Sequence, residues 1–244
     1  MRILVINPNT TASMTEKIGK AAKAAASPTT EIVAVNPHDG PPSIEGYYDE
    51  VFVVPGIIAE MAKAGAVDAY VIACFDDTGL DAARCATEMP VIGIGEAAFH
   101  LATLIAGKFS VVTTLARSIP AIEHNLGKYG LASRCANVRA SDVAVLDLEL
   151  PGSDARSRVS AEIARAIAED RAEAIVLGCA GMADLAHALS LEHGVPVLDG
   201  VACAVRLAET LSALGLRTSK IGGYAAPLAK RYAGYYAPWS PKAR

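Results

Sequence analysis

The chain has 244 residues and nearly balanced charge, with 22 Lys and Arg against 26 Asp and Glu, a formal net charge of −4. The charges are spread along the sequence and form no basic run, so we expect no nucleic-acid partner and no anionic-membrane surface. Hydrophobic residues make up 52% of the chain, a fraction that excludes disorder and is typical of a globular protein with a sizeable core.

The first predicted element is a short buried strand over residues 2–6, which ends at the polar breakers Asn7, Pro8 and Asn9. This apolar run is too short for the hydrophobic region of a signal peptide, and no apolar stretch is long enough to span a membrane. We therefore expect a cytoplasmic protein. In that setting the five cysteines predict reduced thiols rather than a disulfide framework.

Further strands are predicted at residues 31–35, 69–74 and 90–93, with helical stretches between them and a Pro- and Gly-rich loop at 36–46. Alternation of short apolar strands with helices is typical of an α/β fold with a mainly parallel sheet. The helical stretch at 96–106 follows the last of these strands.

The second half of the chain repeats this order at a nearly constant offset of 105 or 106 residues. The matched pairs are 2–6 with 108–112, 31–35 with 137–141, 58–64 with 163–169, 69–74 with 174–179, and 90–93 with 196–199. We interpret the duplication as two pseudo-symmetric lobes, each with a mainly parallel sheet flanked by helices. A single duplication excludes a solenoid, which needs at least three repeats.

The predicted lobe boundaries follow from the helical stretches after the last strand of each half, 96–106 and 201–214, which are natural crossovers between lobes. Lobe 1 is predicted to comprise residues 1–96 plus 206–244. Lobe 2 is predicted to comprise residues 97–205.

Cys74 and Cys179 each follow a predicted strand, at matched positions of the two halves. Ligands bind at the carboxyl ends of parallel strands, so the two thiols are expected to face each other across an active-site cleft between the lobes. A single cysteine there is more often a core residue, whereas a symmetric pair indicates function. Loop N–H donors after each cysteine are expected to lower the thiol pKa. Cys85, Cys135 and Cys203 have no matched partner and are predicted to be structural.

Two opposed thiols suit a reaction in which a proton leaves one face of a carbon and another arrives on the opposite face. Backbone N–H groups in the cysteine loops would stabilise the enolate that forms in between. A substrate whose C–H is already acidified by carbonyls needs no cofactor. The sequence agrees, since it contains no Gly-rich nucleotide fingerprint and no zinc-type spacing of Cys or His.

Five segments together resemble the aspartate/glutamate/hydantoin racemase superfamily, most closely its hydantoin and allantoin racemase branch. They are INPNTT at 6–11, PSIEGYYDE at 42–50, ACFDDTGL at 73–80, VVTT at 111–114 and LGCAGM at 177–182. The resemblance implies that Cys74 and Cys179 are acid/base thiols. It also implies a cyclic ureide substrate, either a 5-monosubstituted hydantoin or allantoin, and a homo-oligomeric assembly.

The candidate site contains more than the two thiols. Asn9 and Thr114 are predicted either to hydrogen-bond the substrate or to fix the cysteine loops, although such residues also serve as turn and cap residues. For Asp76, near Cys74, two roles are left open. Its carboxyl either caps a helix or raises the pKa of the Cys74 thiol. The predicted substrate-binding residues are Asn9, Ser43, Ile44, Phe75, Asp76, Thr113, Thr114, Gly181 and Met182.

Related activities differ at identifiable positions. Racemases resembling glutamate racemase carry Asn-Thr after the first cysteine and Thr-Glu after the second, whereas this chain has Phe75-Asp76 and Ala180-Gly181, which favours a neutral ring over a free amino acid. Arylmalonate decarboxylases keep only the second cysteine, so two thiols favour racemisation. Maleate isomerases keep both cysteines, so this activity is an alternative. A second alternative is a two-lobed protein that binds a ligand without catalysing a reaction.

Overall fold

The computed structural model describes residues 1–242, which form two four-stranded parallel sheets surrounded by helices. The strands are β1 (Arg2–Ile6), β2 (Glu31–Val35), β3 (Ala69–Ile72), β4 (Val91–Gly93), β5 (Phe109–Thr113), β6 (Cys135–Ala140), β7 (Ala174–Gly178) and β8 (Val197–Asp199). The α-helices are α1 (Ala12–Ala25), α2 (Tyr47–Lys63), α3 (Leu80–Ala86), α4 (Ile94–Ile105), α5 (Ile119–Lys128), α6 (Ala155–Asp170), α7 (Ala186–His193) and α8 (Gly200–Ala213).

The two sheets have the same strand order, β2-β1-β3-β4 and β6-β5-β7-β8, so the predicted pair of pseudo-symmetric parallel lobes is confirmed. Ile6 pairs with Ile72 in the first sheet, and Val112 pairs with Leu177 in the second, as the offset of the duplication requires. The predicted match for β2 is wrong by two residues, because the partner of Val112 in β6 is Arg139. β6 is an edge strand with a register irregularity opposite Phe109 and Ser110, which the apolar pattern does not reveal.

Each sheet packs against apolar side chains on both of its faces. Because successive side chains of a strand point to opposite sides, one strand contributes to two cores. Ile3 and Val5 of β1 pack into a central core that also contains Val111 and Val176 of the second sheet. Leu4 of β1 faces the opposite way, into an outer core that packs against α2 and α3. Residues of β5 and β7 that face away from the centre pack against α6 and α7.

Helices α4 and α8 lie against each other in the central core, between the two sheets. Phe99 of α4 packs edge-on against Phe75, with ring centroids 5.4 Å apart. It also stacks on Phe109 of β5 at 6.0 Å, so one aromatic ring joins the two halves of the molecule. The lobe boundaries within this arrangement stay a prediction.

The N-termini of α4 and α8 are both capped by an aspartate, a further trace of the duplication. Asp199 accepts hydrogen bonds from the backbone N–H groups of Val201 and Ala202 at 2.8 and 3.0 Å. The residue equivalent to Asp199 in the first half is Gly93, where a side chain would collide with the carboxylate of Asp77. Asp77 supplies the cap instead, and so the loop after β3 is fixed to the start of α4.

The segment after α8 is largely exposed. Residues 225–239 show mostly exposed side chains, among them Leu228, Tyr235 and Tyr236. The expected homo-oligomer stays a prediction. Within residues 1–242, no helix is both long and apolar enough to cross a membrane.

Candidate active site

A narrow cavity opens at the carboxyl ends of β1, β3, β5 and β7, between the two sheets. Both cysteines that the duplication singles out line it. The lining residues are Asn7, Asn9, Met14, Ile44, Ala73, Cys74, Phe75, Asp76, Thr114, Ser118, Val145, Gly178, Cys179 and Ala180.

Cys74 lies two residues beyond β3 and is 9% exposed. Its Sγ is 3.6 Å from the hydroxyl oxygen of Thr78. Burial raises the pKa of the Cys74 thiol well above its ordinary value, and the carboxyl groups of Asp76 and Asp77 raise it further, because a thiolate would repel them. The contact with Thr78 acts in the opposite direction but is weaker.

Cys179 follows β7 directly, and Gly178 before it packs so closely on Thr113 that a Cβ would lie 2.7 Å from the Thr113 Cβ. Burial raises the pKa of the Cys179 thiol to about 11. The backbone N–H of Gly181 and the ammonium of Lys17 oppose this rise, since both favour a thiolate.

The expectation that loop N–H donors lower the thiol pKa is therefore wrong in its net direction. The donors are present, since the N–H of Gly181 favours the thiolate of Cys179 and the N–H of Asp76 favours that of Cys74. However, both sulfurs lie in a cavity with little water around them, and the cost of desolvating a thiolate exceeds the gain from the donors. Each thiol is therefore a stronger base once ionised, and a smaller fraction of it is ionised at neutral pH.

Asp76 lines the cavity beside Cys74. Its backbone carbonyl accepts a 2.7 Å hydrogen bond from the side-chain amide of Asn125 on α5, so the second half of the chain helps to place it. Burial raises the pKa of Asp76 to about 7, and the nearby carboxyls of Glu50 and Asp77 add to the rise. The raised pKa means that much of this carboxyl is protonated at neutral pH.

Asp77 turns away from the cavity and holds the loop. Its carboxylate accepts hydrogen bonds from the backbone N–H groups of Gly95 and Glu96 at 3.0 and 2.8 Å, and from the hydroxyl of Tyr129 at 2.8 Å. Its φ of 51° is in the left-handed region, a conformation that Asp tolerates better than most residues. Of the two aspartates after Cys74, Asp77 is the helix cap and Asp76 is the cavity residue.

Asn9 also lines the cavity, but its side chain is engaged with its own loop. Its Oδ1 accepts hydrogen bonds from the Asn7 amide at 2.8 Å and from the Thr11 backbone N–H at 2.9 Å. Asn7 in turn donates to the hydroxyl of Thr15 on α1 at 3.0 Å. This network fixes the turn from β1 into α1, which is the turn and cap role, while the two functional roles predicted for Asn9 stay predictions.

The loop after β2 covers one side of the cavity through Ile44. Thr11 anchors this loop by donating its hydroxyl to the Pro42 carbonyl at 2.7 Å. Ser43, which was expected beside Ile44 in the site, does not line the cavity. Glu45 reaches the opposite half of the molecule, where its carboxylate accepts a 3.1 Å hydrogen bond from the backbone N–H of Val145.

Three other predicted residues support the site from behind and do not line the cavity. Thr113 is fully buried in β5 and donates its hydroxyl to the Gly178 carbonyl at 2.9 Å. Met182 packs into the outer core of the second half, and its N–H donates to the Cys179 carbonyl at 3.1 Å. Gly181 lies next to Cys179, and a Cβ there would be 3.6 Å from the sulfur. Thr114, in contrast, lines the cavity as predicted.

Sequence reasoning missed several lining residues. Ala73, Gly178 and Ala180 are direct neighbours of the two cysteines, and their position in the chain was sufficient to find them. Ser118 and Val145 belong to connections of the second half, and Met14 to the first turn of α1. No local pattern marks these three, because only the packing of the two halves brings them to the cavity.

Among residues 1–242, no group of three or more His, Cys, Asp or Glu side chains is arranged to hold a metal ion. The groups in the cavity that can exchange protons include two thiols and one partly protonated carboxyl, beside the polar side chains of Asn7, Asn9, Thr114 and Ser118. Thiols and carboxyls can act as general acids and bases toward a bound substrate.

Comparison with known proteins identifies the family. A family model described as Asp/Glu/Hydantoin racemase matches residues 3–208. The chain is 49% identical over 236 residues to a hydantoin racemase from Pseudomonas sp. (strain NS671), with 96% of this chain and 95% of that protein covered. It is 50% identical over 237 residues to a hydantoin racemase from Rhizobium meliloti, with 96% and 98% covered.

A solved structure of allantoin racemase from Klebsiella pneumoniae superposes with a TM-score of 0.96 at 48% sequence identity, and the match covers 99% of this chain and 100% of that one. The similarity therefore extends over the whole α/β architecture. The chain belongs to the Asp/Glu/hydantoin racemase family and is an enzyme of the racemase class.

Proposed function

We propose that this enzyme racemises 5-monosubstituted hydantoins or allantoin by proton transfer between the ring stereocentre and two cysteines. The observation that carries the proposal is the presence of Cys74 and Cys179 in one cavity, at the equivalent ends of β3 and β7. Two thiols that approach from symmetry-related loops suit attack on opposite faces of a carbon. The hydantoin and allantoin racemases similar to this chain supply the substrate class.

In the proposed reaction, one cysteine enters as a thiolate and the other as a thiol. The thiolate takes the proton from C5, and the electron pair of the C–H bond moves into the ring to form the enolate of the C4 carbonyl. The opposite thiol then donates its proton to the other face of C5, which restores the carbonyl and inverts the stereocentre. The two sulfurs finish with exchanged protonation states, and no cofactor takes part.

The electrostatics of the cavity support this assignment. Burial raises the pKa of the Cys179 thiol to about 11, so its thiolate is a stronger base than that of an exposed cysteine. Proton removal from a carbon acid is easier when the base is stronger. The substrate itself shields the reacting atoms from water, which strengthens hydrogen bonds to the developing enolate oxygen.

The polar groups of the cavity favour a neutral ring over a zwitterionic amino acid. The positions after Cys179 are Ala180 and Gly181, which offer only backbone groups. On the other side, the partly protonated carboxyl of Asp76 is able both to donate and to accept a hydrogen bond. A ring with adjacent N–H and C=O groups is complementary to these partners.

The test is to incubate enantiopure 5-benzylhydantoin, and separately enantiopure allantoin, with the enzyme in D₂O, while optical rotation and deuterium at the stereocentre are followed together. We expect rotation to decay to zero with one deuterium incorporated. Cys85→Ser, which alters a thiol outside the cavity, is the matched control and should behave as wild type. If neither ring changes faster than it does without enzyme, the substrate assignment fails, and maleate and ligand binding without chemistry become the next hypotheses.

A further inference from the structure

Lys17 of α1 extends from the first half of the molecule to the second, beside the loop that carries Cys179. Its ammonium lies 2.8 Å from a carboxylate oxygen of Glu149 and donates to the backbone carbonyl of Leu148 at 3.2 Å. It also donates to the carbonyl of Gly181 at 3.4 Å. The Lys17 side chain is 22% exposed and that of Glu149 is 17% exposed, so the pair is shielded from much of the solvent.

These contacts join two short 3₁₀-helical segments, Val145–Glu149 and Ala180–Leu185. The second of them directly follows Cys179, and the N–H of its residue Gly181 faces the Cys179 sulfur. Lys17 contacts this segment at two points, the Gly181 carbonyl and the carboxylate of Asp184, whose oxygen lies 4.0 Å from the ammonium. Lys17 thereby restrains the backbone on the C-terminal side of the Gly181 amide, and movement of its side chain would remove these contacts between the two segments.

Charged groups surround the two thiols asymmetrically. Cys179 faces one cation, Lys17, together with the carboxyl groups of Asp76 and Glu149. Near Cys74 are the carboxyl groups of Asp76 and Asp77, the hydroxyl of Thr78 and the backbone N–H of Asp76, and within residues 1–242 no cation is among the groups that act on its ionisation. The charges around the two thiols therefore do not follow the pseudo-symmetry of the fold, since the ammonium of Lys17 lies on the Cys179 side.

We propose that Lys17 is a positioning residue for Cys179, whose ammonium holds the Ala180–Leu185 segment against Val145–Glu149 so that the Gly181 amide stays directed at the sulfur. This arrangement makes Cys179 the thiol that ionises first and leaves the proton on Cys74 in the free enzyme. The substrate enantiomer whose C5–H faces Cys179 is then the one that the resting enzyme deprotonates. This inference rests on the proposed function for its catalytic meaning, but its test does not depend on turnover.

The test measures the alkylation rate of each cysteine by iodoacetamide from neutral to alkaline pH, with each labelled peptide quantified by mass spectrometry. In Lys17→Met we expect the apparent pKa of Cys179 to rise by about one unit, which corresponds to about tenfold less thiolate at neutral pH. The profile of Cys74 should stay as in wild type. Lys17→Arg, which keeps the cation and its donors, should restore most of the Cys179 reactivity.

The matched control is Lys20→Met, which removes a lysine from the exposed surface of the same helix. Its profiles should match wild type for both thiols. Lys17→Gln, whose amide still donates to a carbonyl, provides a second uncharged variant if Lys17→Met does not fold, and the same direction of shift is expected. Circular dichroism and the unfolding midpoint establish that each variant is folded.

Two outcomes would overturn the proposal. One is an unchanged Cys179 profile in a folded Lys17→Met or Lys17→Gln variant. The other is an equal shift at Cys74 and Cys179, which would indicate general loosening rather than positioning of one thiol. If the labelling results are as expected but no hydantoin or allantoin is racemised, the role of Lys17 stands and the proposed function fails.

Discussion

The carboxylate of Glu45 accepts a hydrogen bond from the backbone N–H of Val145 at 3.1 Å, and this contact joins the loop after β2 to the segment after β6. Val145 itself and Ile44, the residue before Glu45, both line the cavity. The two halves of the molecule are thus linked at the edge of the cavity that the two cysteines line. A substrate that enters between these segments must pass this link.

Replacement of Glu45 tests its contribution to closure of the cavity. We predict that Glu45→Ala raises KM about fivefold, because loss of one charge-assisted hydrogen bond of ~1 kcal/mol loosens both segments. Glu45→Gln keeps an oxygen acceptor and should lie between wild type and the alanine variant. Steady-state kinetics in both directions provide the measurement. Equal KM values in all three proteins would mean that this link does not contribute to binding.

Single replacement of either thiol should separate the two half-reactions. In Cys179→Ser, the ionised fraction of Cys74 is expected to remove the C5 proton from one enantiomer and to return a deuteron to the same face. We expect loss of racemisation in Cys74→Ser and in Cys179→Ser, with solvent exchange retained for one enantiomer in each variant and for opposite enantiomers in the two. Proton NMR of each enantiomer in D₂O reports the exchange. Full racemisation by either variant would exclude the two-thiol mechanism.

The buried carboxyl of Asp76 predicts a defined pH dependence of stability. Burial raises the pKa of Asp76 in the folded protein to about 7, above its ordinary value of 3.8. The folded state therefore holds a proton that the unfolded chain releases, and the stability linked to that proton is complete below the unfolded pKa and is lost as pH rises through about 7.

Replacement of Asp76 by Asn removes this titration. We expect Asp76→Asn to be more stable than wild type by about 1–2 kcal/mol at mildly alkaline pH, with the difference decreasing toward pH ~4. Urea unfolding over that pH range provides the measurement, and Glu123→Gln on the exposed surface of α5 is the control. A constant difference between Asp76→Asn and wild type at every pH would contradict the raised pKa.

The hydroxyl of Tyr129 supports the Cys74 loop through Asp77, to which it donates at 2.8 Å. Tyr129→Phe keeps the ring against Phe99 but removes this donor from a buried carboxylate. We predict a loss of about 1–2 kcal/mol in the free energy of unfolding. Because the hydroxyl favours the ionised form of Asp77, whose pKa is raised to about 7, the loss should be larger above pH 7 than below it. An identical loss in the free energy of unfolding above and below pH 7 would show that the hydroxyl acts through packing alone.

The duplicated pattern of apolar strands was sufficient to predict the parallel α/β fold and the pairing of its halves. Buried parallel strands appear as short continuous apolar runs, and the run before Cys74 and the run before Cys179 are of this kind. The match of β2 to the second half failed by two residues because β6 is an edge strand that contains Asn137 and Arg139, so its apolar pattern is weak.

The duplication also singled out two of the five cysteines as candidate site residues. Cys74 and Cys179 have matched positions in the two halves, and ligands generally bind at the carboxyl ends of the strands in such sheets. The sequence alone did not determine their ionisation. The local sequence predicts the N–H donor at Gly181, which lowers the pKa of Cys179. It does not predict the burial that raises this pKa by more, because desolvation depends on every element that closes the cavity.

Tertiary structure also decided which of the neighbouring residues serve the cavity. Asp76 and Asp77 are adjacent and chemically identical, yet only the position of α4 makes one of them a cap and leaves the other in the site. Likewise, Lys17 lies far along the chain from Glu149 and Gly181, and no spacing in the sequence predicts their contact. Strand pattern and duplication are local or periodic properties, whereas charge placement around the thiols arises from long-range packing.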